Sequence, residues 1–100
     1  MALESLSFHD RVTCADGFSM SVQCHWGAYC RPRDNNGPWS SAEIGFPSAE
    51  EPEIMEYCES PERPTDTIYG YVPVSVIRKV VEKHGGCGDQ LDWLFNNNAA

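Results

Sequence analysis

Positive charge is scarce in this chain: seven lysines and arginines stand against fifteen aspartates and glutamates over 100 residues, a formal net charge of −8. Binding to nucleic acid needs a basic stripe, and Arg11, Arg31, Arg33, Arg63 and the trio Arg78, Lys79 and Lys83 are too scattered to make one. Direct nucleic-acid contact is therefore set aside. No apolar run approaches the ~18 residues that cross a bilayer, and Met1-Ala2-Leu3-Glu4 has neither the basic start nor the apolar stretch of a secretory leader. The expectation is a cytosolic protein without membrane contact. There is no Cys-x-x-Cys pair, and five cysteines (Cys14, Cys24, Cys30, Cys58 and Cys87) are an odd number for a disulfide framework. They read as reduced thiols, with Cys14, Cys24 and Cys58 at positions that face a core.

What is present suits one small domain. With 41% hydrophobic and 11% aromatic residues the chain can close a single modest core, placed here over 1–95 and followed by a polar tail, 96–100. Residues 8–24 fix their own register. A two-residue turn at Asp16-Gly17 would mix apolar and polar side chains on each face. A three-residue loop, Ala15-Asp16-Gly17, pairs Cys14 with Phe18, Val12 with Met20 and Thr13 with Ser19, so every pair matches. That is a type I turn closed by a left-handed Gly17, with Val12, Cys14, Phe18, Met20, Val22 and Cys24 on the buried face.

Residues 26–38 read as a turn-rich loop with two exposed arginines. Trp39 to Phe46 alternates as a third strand, with Ala42, Ile44 and Phe46 inward and Pro47 as its end. Thr67 to Val72 is β-branched and aromatic, a fourth strand. Pro73 opens a helix through His84 with Val76, Ile77, Val80 and Val81 on one face, stopped by Gly85-Gly86. Asp89 is placed as the cap of a last helical turn carrying Leu91, Leu94 and Phe95. The fold class is α+β: a four-stranded, mainly antiparallel sheet with two helices and a short C-terminal helical turn.

Seven of the fifteen carboxylates fall between Glu50 and Asp66 (Glu50, Glu51, Glu53, Glu56, Glu59, Glu62 and Asp66), with Arg63 the one positive charge among them. The segment carries about −6 of the −8. Such a density resembles a nucleic-acid backbone and favours basic protein surfaces as partners. The plainer alternative is a solvated helix face that keeps a small protein in solution. A short helix is expected here, capped either by Ser48, which has Glu51 at capping-box spacing, or by Glu51, which puts Pro52 at the favoured first position. Ile54, Met55 and Cys58 form its apolar stripe, with Glu50, Glu53, Glu56 and Glu59 toward solvent. The connector Ser60 to Asp66 holds two prolines and has no interior.

Catalytic and metal chemistry find little support. Cys24, His25 and Cys30, with His9 and Cys14 near, are zinc-type ligands, but consecutive Cys24 and His25 point to opposite faces of a strand. A thiol nucleophile would be Cys87 activated by His84, or Cys30 by His25, yet a histidine in a last helical turn is accounted for by the helix dipole. The acidic segment lacks the apolar pocket that would raise one carboxyl pKa for acid–base work. No enzyme, cofactor or metal site is expected.

Asp16-Gly17-Phe18-Ser19-Met20-Ser21-Val22-Gln23, Gly45-Phe46-Pro47-Ser48, the stretch Pro64-Thr65-Asp66-Thr67-Ile68-Tyr69-Gly70-Tyr71-Val72-Pro73 and Lys83-His84-Gly85-Gly86 together resemble a set of small, uncharacterised proteins encoded by bacteriophages and prophages. The resemblance covers most of residues 8–86 and carries no catalytic residues. It implies a phage accessory protein in the host bacterial cytoplasm. Among small acidic phage proteins of about this size, many inhibitors of bacterial immunity belong to the anti-CRISPR group, whose members often bind the basic, nucleic-acid-facing surfaces of CRISPR–Cas effector complexes. The expectation is thus a non-enzymatic inhibitor of a multi-subunit effector, docking through Glu50, Glu51, Glu53, Glu56, Glu59, Glu62 and Asp66 as a DNA mimic. The alternatives are a self-associating phage structural or regulatory protein and a small metal- or thiol-dependent protein.

Overall fold

The structure, a computed structural model, describes residues 8–96. The leader reading at Met1 to Glu4 and the tail beyond Asn96 lie outside the described residues. In chain order the elements are β1 (Val12–Thr13), β2 (Ser19–Gln23), β3 (Ser41–Gly45), a 3-10 helix (Pro52–Tyr57), β4 (Ile68–Pro73), α1 (Val74–Lys83) and α2 (Asp92–Phe95). The strands form one sheet in the order β1-β2-β3-β4, every neighbour antiparallel. This is the expected α+β class, and its strand order is the simplest one, a meander. No helix among the described residues is long and apolar enough to cross a membrane.

The first hairpin has the register its side chains dictate. Val12 pairs with Met20 and Thr13 with Ser19, the Cys14 N–H donates to the Phe18 carbonyl at 2.8 Å, and Gly17 has φ +96°. All six residues assigned to the inner face are buried. The third strand departs from expectation at its end. Phe46 is 49% exposed rather than inward, because its φ of +49° turns the ring off the face held by Ala42 and Ile44. Its backbone stays paired: the N–H donates to Thr67 O at 3.0 Å, and the carbonyl accepts from the Arg11 guanidinium at 2.6 Å.

Helix α1 starts after Pro73 and buries Val74, Ile77, Val80 and Val81, with Val76 half-buried. At its end Gly86 N–H donates to Val81 O and Gly85 N–H to Glu82 O, with Gly85 at φ +92°. That 6→1 and 5→2 pair is a Schellman motif. It also makes a seat for the β1–β2 turn, since Ala15 N–H donates to Gly86 O and Asp16 N–H to His84 O. The C-terminal helix begins later than expected. Leu91 rather than Asp89 is its N-cap, without a side-chain cap bond, and Asp89 contributes its carbonyl to Asp92 N–H instead. Leu91 and Leu94 still reach the core, which joins them to Met20, Val22, Ile44 and Ile77.

Candidate partner-binding face

The acidic segment is built on a short 3-10 helix, and Pro52 decides how it starts. Of the two caps the sequence allowed, Glu51 is the one used: its backbone is extended, Pro52 takes the first helical position, and its carboxylate accepts from Glu53 N–H at 2.9 Å. Proline is at no disadvantage there, because the first N–H of a helix has no intrahelical partner. Ile54 is fully buried, while Met55, Tyr57 and Cys58 pack partly against the core.

Glu51 itself is 1% exposed. This corrects its assignment to a partner-binding surface, and the physical reason is a charge cluster built around its buried carboxylate. Lys83 Nζ donates to Glu51 Oε2 at 2.8 Å, and His84 Nε2 lies 2.7 Å from Oε1. The other imidazole nitrogen, Nδ1, lies 2.6 Å from Asp16 Oδ2, and Phe18 stacks on the ring at 4.1 Å. Ionised carboxylates only accept, so an imidazole facing two of them donates from both nitrogens and is an imidazolium. Burial opposes the charge on His84, but the hydrogen bonds to Glu51 and Asp16 outweigh it and hold its pKa above the ordinary 6.5. Burial likewise works against the Glu51 anion, yet Lys83, the Glu53 N–H and His84 carry its pKa below the usual carboxylate value. Asp16 is also lowered, first by the Phe18 N–H and then by His84. The cluster clasps three elements together: the β1–β2 turn, the start of the 3-10 helix and the end of α1.

The remaining six carboxylates ride outside that clasp. Glu50, Glu56, Glu59, Glu62 and Asp66 are exposed and Glu53 is half-buried. Lys79 Nζ reaches Glu53 at 3.5 Å and Arg63 reaches Asp66 at 3.6 Å. Glu50, Glu56, Glu59 and Glu62 have no basic partner among the described residues. Their backbone is held all the same. Cys58 forms a β-bridge with Tyr69, Glu59 N–H donates to Ile68 O at 3.1 Å, and the buried Tyr69 hydroxyl donates to the Pro64 carbonyl. The acidic ridge is therefore fixed along the free edge of β4.

The other constellations offer no reacting pair. Burial pushes up the thiols of Cys24, Cys30 and Cys87, so they are protonated and weakly nucleophilic. Cys30 Sγ has the carbonyl oxygens of His25 and Pro32 as acceptors for its one S–H, both at 3.4 Å, and His84 is committed to its two carboxylates. All five cysteines are free. A shallow cavity of about 230 Å³ is lined by His9, Asp10, Arg11, Gln90 and Trp93; His9 Nε2 is buried there without a hydrogen-bond partner among the described residues, while Arg11 and Gln90 are turned to the protein. Arg11 donates to Ser19 and Phe46, and the Gln90 amide bonds Thr13 and Cys87.

The clasp was only partly readable beforehand. Pro52 pointed to Glu51 as a cap, and Gly85-Gly86 placed His84 at a helix end. Nothing local tied Asp16, 68 residues away, to that histidine. Comparison with protein-family models, with curated proteins and with solved structures gives no match, so this site rests on its own geometry.

Proposed function

We propose that the protein is a non-enzymatic binding module that docks on a basic protein surface through the ridge of Glu50, Glu53, Glu56, Glu59, Glu62 and Asp66. The observation that carries this reading is the division of labour within the acidic segment. Glu51 alone turns inward and clasps the segment to the fold, and four outward carboxylates keep their charge uncompensated on a backbone pinned to β4. A fixed array of like charges loses little conformational freedom on binding and attracts a positive surface from a distance. The raised thiols and the fully engaged imidazole favour binding over catalysis.

The resemblance to phage proteins makes a multi-subunit CRISPR–Cas effector the partner to test, with the inhibitor acting in the host bacterial cytoplasm. The experiment is phage protection in a CRISPR-competent host, comparing wild type with Glu56→Lys/Glu59→Lys/Glu62→Lys. Wild type should protect and the variant should not, while both melt alike. Equal protection by the two would reduce the ridge to a solvated face, and no protection by wild type would remove the CRISPR partner.

A further inference from the structure

A second group of exposed charged side chains, two of them arginines, lies on the outer face of the sheet. Along β3, Glu43 alternates with the inward Ala42 and Ile44, and its Oε1 accepts from Tyr29 N–H at 3.0 Å. The loop after β2 is thereby laid over the outer face, where Tyr29 O accepts from Tyr71 N–H at 2.9 Å. The two tyrosine rings stack with centroids 5.8 Å apart. Arg31 covers the Tyr71 ring at 4.7 Å and Arg33 covers the Tyr29 ring at 5.5 Å. The result is a continuous row, Arg31, Tyr71, Tyr29, Arg33, open to solvent.

Three features set this row apart. Tyr71 has φ +55°, a left-handed backbone that costs a non-glycine residue energy and is retained where the surroundings demand it. Neither guanidinium has a carboxylate or carbonyl partner among the described residues, whereas Lys79, Lys83 and Arg63 pair with carboxylates and Arg11 and Arg78 donate to backbone carbonyls. The nearby acids keep their charge but are turned to backbone N–H groups and not to the arginines: Asp34 Oδ1 accepts from Asn36 and Gly37 N–H, and Glu43 from Tyr29 N–H. Tyrosine and arginine are also the side chains that concentrate binding energy at protein interfaces.

We propose that this row is the docking surface for the acidic ridge of a second copy of the chain, with Glu56, Glu59 and Glu62 seated on Arg31 and Arg33. Charge complementarity selects the occupant: an anionic segment fits, and the densest one in sight is the chain's own. The contact is heterologous, one face against a different face, so each added copy leaves one ridge and one arginine row free and assembly grows with concentration. The inference rests on the ridge being an accessible surface, but not on the identity of any host partner. Self-association and partner docking then compete for the same carboxylates.

The test uses the full chain in sedimentation equilibrium at rising concentration, with thermal melts to show that each variant is folded. Wild type should rise above its 11.2 kDa monomer mass. Arg31→Glu/Arg33→Glu alone and Glu56→Arg/Glu59→Arg/Glu62→Arg alone should stay monomeric, at least tenfold weaker in self-association. Mixing the two variants should restore assembly, because each supplies the sign the other lost. A wild type still monomeric at about 1 mM, variants that assemble as well as wild type, or a mixture that stays monomeric would overturn the proposal. Binding of a single-stranded oligonucleotide that Arg31→Glu/Arg33→Glu abolishes would overturn it too, by giving the row to nucleic acid. Phage protection by Arg31→Glu/Arg33→Glu keeps the two readings separable, since that variant retains the whole ridge.

Discussion

The acidic segment and the arginine loop place the same kind of group, a long charged side chain, in contrasting circumstances. In the first, one carboxylate out of seven is buried and makes hydrogen bonds to Glu53 N–H, Lys83 and His84. In the second, both arginines stay outside and rest on tyrosine rings. Burial, rather than charge, separates structural from surface roles. An ion removed from water must be fully partnered, and losing a partner leaves an uncompensated buried charge. An exposed ion over an aromatic ring gives up little hydration and contributes correspondingly little to folding.

The sharpest way to break the comparison is Glu51→Ala, which removes the acceptor of the Glu53 N–H, Lys83 and His84 while Lys83 stays solvated and His84 keeps Asp16. It should cost about 2 kcal/mol, or roughly 8–16 °C in melting temperature for a domain of this size. Glu56→Ala, on the same segment, should move stability by no more than about 0.5 kcal/mol. Equal melting of the two variants would mean that Glu51 is an ordinary surface acid. A comparable loss is expected at Gly85, where a Cβ would meet Ala15 Cβ at 3.0 Å and φ is +92°. Gly85→Ala should cost about 2 kcal/mol and loosen the turn that carries Asp16. Gly17→Ala has open space around its Cβ, so backbone strain alone sets its cost near 1 kcal/mol. Chemical denaturation of the pair ranks them.

Titration sharpens the comparison further. His84 has a raised pKa, so its contribution is complete below 6.5 and is lost as pH rises through its folded value. Glu51 and Asp16 have lowered pKa values, so theirs is complete above about 4.5 and is lost as pH falls through theirs. The clasp is therefore strongest between about pH 4.5 and 6.5. Burial lowers the pKa of His9 and His25, which acts the other way, adding stability as pH rises toward 6.5. The difference between wild type and His84→Gln across pH isolates the clasp, and it should shrink on the alkaline side. A flat difference would show that His84 carries no charge of its own. A small effect is also expected in the arginine loop, where Arg31→Ala should cost under about 1 kcal/mol.

How much could be read from the sequence follows the range of the forces involved. The first hairpin was legible because its register is decided within thirteen residues by which side chains match across a turn. The α1 stop was legible because Gly85-Gly86 serves a backbone conformation other residues avoid. Phe46 was misread because alternation says nothing about a left-handed residue that ends a strand. Asp89 was misread because an acid near an apolar triplet looks like a cap whether or not the helix begins beside it. Glu51 was counted with its neighbours because burial depends on a lysine and a histidine more than 30 residues away. The arginine loop was recognised as exposed, but its stacking on Tyr71 needs β4 beside it.

The clasp also has a bearing on time. Its hydrogen bonds join Asp16 to His84 across 68 residues and Glu51 to His84 across 33, whereas the hairpin and α1 close over a few. Contacts between distant residues reward the chain only after long loops have closed, so they form after the local ones. Removing Glu51 should then leave the refolding rate nearly unchanged and appear almost wholly as faster unfolding. A protein held in this way keeps its shape through slow escape, and the lifetime of the folded chain is set where the first turn meets the end of the helix.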